Sequence, residues 1–94
     1  MRKLLNARDT MVDDMVSGFV AAFPGLVARG RHPRLVRRAL PKEGAKTRLL
    51  IGNGSGHEPI AMGFVGEGML DGNVVGDVFA APSPDLILAG LREL

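Results

Sequence analysis

The apolar run Leu49-Leu50-Ile51 breaks into Gly52-Asn53-Gly54-Ser55-Gly56 and then delivers His57, Glu58 and Pro59 in succession. An imidazole exchanges protons near neutral pH, and here a carboxylate follows it immediately. The small residues before it leave the amides of Gly52, Gly54 and Gly56 unshielded, so a ligand can approach the main chain closely. A buried strand ending on such a loop presents bare N–H donors and one titratable ring at a single edge. That chemistry suits a small, polar, oxygen-rich molecule.

Neighbouring motif classes fit the spacing poorly. A dinucleotide fingerprint needs G-x-G-x-x-G, but the third glycine falls early, at Gly56, and His57 takes its slot. Asp77 lies at the distance of the ribose-binding acid, yet the glycine spacing is wrong. A Walker A loop needs a terminal Gly-Lys-Ser/Thr, which is absent. A nucleophile elbow needs glycine where Asn53 and His57 stand, so Ser55 is not set up as a hydrolase nucleophile. A metal site needs more ligands in register, and the other histidine, His32, precedes Pro33 in a basic loop as a solvated residue. The plain alternative is a tight strand-to-helix turn in which His57 caps or fills space. The functional reading goes ahead because the C-terminal edge of a strand is where α/β folds bind ligands.

The elements that must position this loop are legible around it. Residues 9–23 read as a helix, with Val12, Met15, Val16, Phe19 and Phe23 on one stripe and Asp13, Asp14 and Ser17 opposite. Asp9 or Thr10 can cap its start, and Pro24-Gly25 stops it. Leu35-Val36, between arginines, reads as a short exposed strand. Residues 47–51 form a continuous β-branched and aliphatic run, as in a strand buried on both faces of a parallel sheet. Residues 59–65 read as a short helix with Pro59 in its first turn. Val74, Val75, Val78 and Phe79 form a second strand, interrupted by Gly76. Ser83 as N-cap, Pro84 in the first turn and Asp85 after it open a last helix with Ile87, Leu91 and Leu94 on one stripe. Strand, glycine loop, helix, strand and helix make an α/β alternation. Too few elements remain to cover both faces of a parallel sheet, so the chain reads as cut short.

The composition narrows the function classes. The chain has 94 residues, 46% of them hydrophobic, which supports one small packed domain or part of a larger one. Only 4% are aromatic, with no Trp or Tyr, against a base-stacking platform for nucleic acid. Without cysteine there are no disulfides or thiolate-metal sites, and a reducing cytoplasm is the expected location. No apolar segment is long enough to span a membrane, and the basic start Met1-Arg2-Lys3-Leu4-Leu5-Asn6 lacks the apolar stretch of a secretory signal. Arg29, Arg31, Arg34, Arg37, Arg38, Lys42, Lys46 and Arg48 cluster with Glu43 as their one acid. They read as a solvated edge strand and turn in preference to a patch for phosphate or an acidic partner.

Several motifs in order resemble the substrate-binding DhaK-type domain of dihydroxyacetone kinases. They are Gly54-Ser55-Gly56-His57-Glu58-Pro59, residues 63–71 (Gly63 to Asp71), Gly76-Asp77-Val78-Phe79 and Pro82-Ser83-Pro84-Asp85. Lys3-Leu4-Leu5-Asn6 and Phe19-Val20-Ala21-Ala22 are similar too. The resemblance implies that residues 1–94 are the opening portion of such a domain, a partial parallel-sheet α/β unit. It implies phosphorylation of dihydroxyacetone or a related short-chain ketose, with the substrate held at Gly54, Ser55, Gly56 and His57 and His57 assisting catalysis. The phosphoryl donor would be ATP on a separate helical domain, or a phosphocarrier relay acting through ADP on a partner subunit. No cofactor or metal would be bound by this segment itself. The full-length form would be a cytoplasmic homodimer, with no nucleic-acid or membrane partner. The histidine that anchors the ketose covalently in this family, and the aspartate base, have no counterpart among these residues, so the segment alone would be inactive.

Two departures from the family pattern bear on the substrate. Asn53 stands where glycine is usual, adding a side-chain amide at the loop. Ala80-Ala81 stand where hydroxyl residues commonly follow Val78-Phe79. Together they leave the ketose identity open, with a four-carbon ketose such as erythrulose as a competitor to dihydroxyacetone. A non-catalytic sugar-binding or interaction remnant of the domain is the competing expectation, and a salt-dependent adaptor for an acidic partner is a third.

Overall fold

Val12 and Val16, four apart on one helix, pack against Val27, Val36 and Val75 of three strands, and that match organises the core. A computed structural model describes residues 2–94; Met1, the first residue of the basic start, lies outside them. Helix α1 spans Met11–Ala22 and buries Val12 and Val16, with Met15, Phe19 and Val20 packed beside them. Fully burying a side chain of this kind stabilises by about 1.5–3 kcal/mol, so this stripe fixes the helix on the sheet. The helix is shorter than its apolar pattern. Thr10 holds the N-cap position, but its hydroxyl donates to Asp14 Oδ2 at 3.0 Å and caps no amide. Phe23 falls beyond the last turn, 47% exposed, its ring centroid 5.2 Å from that of Phe19.

Strands β1 (Val27–Arg29) and β2 (Leu35–Arg38) form an antiparallel hairpin. Strand β3 spans Leu50–Ser55 and β4 Gly72–Val78, and the sheet order is β1-β2-β4-β3. Only β3 and β4 run parallel; β2 and β4 pair antiparallel. The sheet is therefore mixed: the parallel pairing expected joins β3 to β4, and the hairpin extends it antiparallel. The basic stretch before Leu35 turns the chain back on itself, and a tight hairpin can only make antiparallel neighbours.

Strand order and local backbone correct four expectations. The Leu35-Val36 strand is internal, with those side chains 1% and 0% exposed, because β1 and β4 flank it. The aliphatic run is not buried on both faces: β3 is an edge strand, and Leu49 and Ile51 are exposed. The strand also runs later than 47–51, since the glycine stretch continues it as far as Ser55, with a register irregularity between Asn53 and Ser55. Residues 59–65 give a single 3₁₀ turn at Met62–Phe64 in place of a helix.

Gly76 does not break β4, which has neighbours on both sides and is buried from Gly72 to Gly76. Its Val75 joins the cluster of Val12, Val16, Val27, Val36, Met62 and Val65 under α1. The other face carries α2, Pro84–Glu93. Ser83 caps it, its Oγ accepting the Leu86 amide at 3.3 Å, with Pro84 in the first turn as the sequence led one to expect. The packed stripe is Ile87, Gly90 and Leu94, not Leu91, which is 58% exposed. A Cβ on Gly90 would stand 2.7 Å from Val74 Cγ2, so glycine lets the helix lie directly on β4. Each face of the small sheet thus has one helix.

Candidate functional site

Parallel pairing of β3 with β4 brings the carboxyl ends of both strands to one edge. Ser55 and His57 follow β3 there, and Phe79 follows β4. The Phe79 amide donates to Ser55 O at 2.7 Å, tying the two exits together.

The glycines serve a purpose other than leaving open amides. A Cβ on Gly54 would stand 2.8 Å from Ala80 N and 2.9 Å from its carbonyl oxygen. A Cβ on Gly56 would meet the Phe79 ring at 2.8 Å, and one on Gly76 would collide with Ala80 O. Above Gly52 the space is filled by Ile87 and Pro82. The bare backbone is therefore covered by residues 79–82 and α2. Gly56 has a second constraint, since its φ of 114° lies in the region that favours glycine. Its amide is also committed, donating to Glu58 Oε2 at 3.0 Å.

Ser55 is 2% exposed and its hydroxyl donates to Gly76 O at 2.7 Å. It locks the strand pair, and its side chain does not face solvent as a ligand contact would. His57 is exposed, with Nδ1 3.1 Å from Ile60 O. A carbonyl oxygen only accepts, so Nδ1 carries the hydrogen, and in the neutral ring Nε2 keeps its lone pair. The Glu58–Pro59 and Ile60–Ala61 peptides of this loop are cis.

Two further residues shape this edge. Phe79 reads as strand in the sequence, but it follows β4 with φ 53° and is 78% exposed, its ring over Gly56 at the loop. Asn73 is 1% exposed, and its Nδ2 donates to Asn53 Oδ1 at 2.6 Å and to Ile51 O at 3.0 Å. One polar side chain ahead of Val74-Val75 was its visible signal. Asn53 itself does not offer its amide to a ligand: Nδ2 donates to Gly54 O at 2.8 Å and Ile60 O at 3.0 Å.

Much of the basic cluster gathers toward the opposite end of the parallel strands, around Asp71. A cavity of about 540 Å³ there is lined by arginines of the hairpin, Lys42, Arg48 and Arg92, with Asp71 and Glu93. Both acids are engaged. Asp71 pairs with Lys42 at 3.0 Å and Arg38 at 3.3 Å, while Glu93 accepts the Arg31 amide at 2.9 Å. Burial alone would raise the Asp71 carboxyl, but the Leu49 amide, Lys42 and Arg38 outweigh it and hold it below the usual range. Arg34 spans Asp13 at 2.6 Å and Asp77 at 3.0 Å, joining α1 to the end of β4. His32 Nδ1 accepts the Arg34 amide at 3.1 Å and so belongs to the hairpin turn. Among the described residues no three His, Asp or Glu side chains gather as a metal site, and no helix is long and apolar enough to cross a membrane.

The profile of the family described as "Dak1 domain" matches residues 17–94. The chain is 44% identical over 92 residues to the PTS-dependent dihydroxyacetone kinase 1, dihydroxyacetone-binding subunit DhaK, of Listeria innocua, covering 98% of this chain and 28% of that protein. It superposes on the crystal structure of the dihydroxyacetone kinase from C. freundii in complex with AMP-PNP and Mg2+ with a TM-score of 0.86 at 37% identity, over 97% of this chain and 18% of that one. The dihydroxyacetone kinase operon co-activator Dha-DhaQ matches with a TM-score of 0.71 at 32% identity, over 85% of this chain and 24% of its own. The chain spans 18% to 28% of these proteins' lengths.

Proposed function

The chain belongs to the Dak1 domain family, and we propose that it supplies the opening part of a dihydroxyacetone kinase's substrate-binding domain. The ketose sits at the edge formed by Gly54, Gly56, His57 and Phe79. The observation that carries this reading is the state of His57: an exposed ring, fixed through Nδ1 on Ile60 O, with the Nε2 lone pair free. Such a nitrogen hydrogen-bonds a substrate hydroxyl and accepts its proton as the oxygen attacks a phosphoryl group. The positions of Gly54 and Gly56 set the loop by drawing residues 79–82 against β3. Ser55 acts in this reading by locking that edge through Gly76 O.

The donor is ATP or a phosphocarrier relay through ADP, held by a partner domain or subunit, and the working form is a cytoplasmic homodimer. Ala80 and Ala81 bring no hydroxyl to the ketose, which supports tolerance of a four-carbon ketose such as erythrulose beside dihydroxyacetone. The test is a coupled kinase assay on the full-length protein with both ketoses. His57→Asn is expected to lower turnover about a hundredfold or more. Unchanged turnover removes the catalytic role, and a strong preference for dihydroxyacetone removes the broader substrate range.

A second reading rests on the likeness to the operon co-activator, whose name describes regulation. A sugar-binding module without chemistry would bind dihydroxyacetone in calorimetry while the full-length protein, given either donor, turned nothing over.

A further inference from the structure

Asn53, Asn73, Ile60 and His57 form one polar chain that the sequence scatters over three elements. Asn73 is buried on β4, where its Nδ2 lies 2.6 Å from Asn53 Oδ1. That contact fixes which way the Asn53 amide faces, because only its oxygen can accept from Asn73. Its nitrogen is then turned toward the loop, 3.0 Å from Ile60 O. The same carbonyl oxygen receives His57 Nδ1 at 3.1 Å. One oxygen thus takes two donors, one from the rigid strand pair and one from the exposed ring.

We infer that Asn53 is a positioning residue for His57: it holds the Ile60 carbonyl where that oxygen orients the ring and keeps the proton on Nδ1. The inference rests on the proposed role of His57 and deepens it. An exposed loop ring otherwise samples both tautomers and several orientations, and only the Nδ1–H form leaves Nε2 as a base. Glycine at this place would leave the Ile60 carbonyl without its link to the sheet. Here a buried asparagine on β4 and a half-buried one on β3 supply that link together. The Asn53 amide nitrogen is engaged by the carbonyl oxygens of Gly54 and Ile60.

The test compares the full-length protein with Asn53→Asp and Asn53→Ala. Asp keeps the acceptor for Asn73 but sets an oxygen against Ile60 O; Ala removes the amide without adding charge and serves if the Asp variant does not fold. Ring-nitrogen NMR, with the His57 signal assigned by its loss in His57→Asn, reads the tautomer directly. The expected result is a predominantly Nδ1–H ring in the parent, a shift toward Nε2–H in both variants, and kcat lower by about tenfold or more with KM changed far less. A tautomer that stays Nδ1–H in both variants overturns the positioning role, whatever turnover does. A shifted tautomer with turnover unchanged in both variants and in His57→Asn upholds the positioning and instead removes His57 from the chemistry.

Discussion

Asp71 and Leu49 meet in both directions at the start of the parallel strand pair. The Leu49 amide donates to Asp71 Oδ2 at 2.7 Å, while the Leu49 carbonyl oxygen accepts the Asp71 amide at 3.0 Å and the Gly72 amide at 3.2 Å. Asp71 is 3% exposed and also receives Lys42 and Arg38. A buried carboxylate so surrounded fixes where β3 begins to pair with β4, and therefore what reaches the other end.

Replacing Asp71 by Asn leaves Lys42 and Arg38 without their counter-charge and is expected to cost about 3 kcal/mol in denaturant unfolding of the full-length protein. The pH dependence has a definite sign. The folded carboxyl lies below its ordinary value of 3.8, so its contribution is complete above that value and lost as pH falls through the lowered one. The parent should lose stability below about pH 4 more steeply than Asp71→Asn. Parallel curves for the two proteins would remove this role.

Gly54→Ala and Gly52→Ala separate backbone contact from side-chain contact. The first places a methyl 2.8 Å from Ala80 N, on main chain that cannot turn aside, and should cost about 1–3 kcal/mol. The second meets the tip of Ile87, a flexible side chain, and should cost less although the approach is closer. Thermal midpoints in the reverse order would show that residues 79–82 are not packed on β3 as described.

Ser83→Ala and Thr10→Ala test two helix starts that look alike in sequence. Ser83 accepts the Leu86 amide, so its loss should cost about 1 kcal/mol. Thr10 caps nothing and bonds only exposed Asp14, so its loss should stay within about 0.5 kcal/mol. Equal shifts in urea midpoint would contradict the distinction.

Asn73→Asp should weaken the strand-to-loop link from its buried end. A carboxylate there lacks the donor that Asn53 Oδ1 accepts and lies 1% exposed without a cation beside it. The expected cost is about 2 kcal/mol or more, read as a thermal midpoint below the parent's whose deficit narrows at acidic pH as the group protonates. A deficit that widens at acidic pH would sink this account.

The sequence alone determined what depends on neighbours along the chain. The 3.6-residue stripe of α1, the Ser83-Pro84 start of α2, the α/β alternation and the ordered motifs around His57 are all local, and the family followed from them. Tertiary structure decided what depends on partners far apart. A run such as residues 47–51 has the same composition at an edge as in a centre, and only the hairpin between β1 and β2 determined which strand took which place. Alternating glycines look the same whether they await a ligand or another segment, and here residues 79–82 lie on them. Asn53 resembled a ligand-facing amide until Asn73, 20 positions away, was seen to hold its oxygen. A hydrogen bond between side chains on adjacent strands leaves no period in the sequence, so the orientation of His57 was written only in three dimensions.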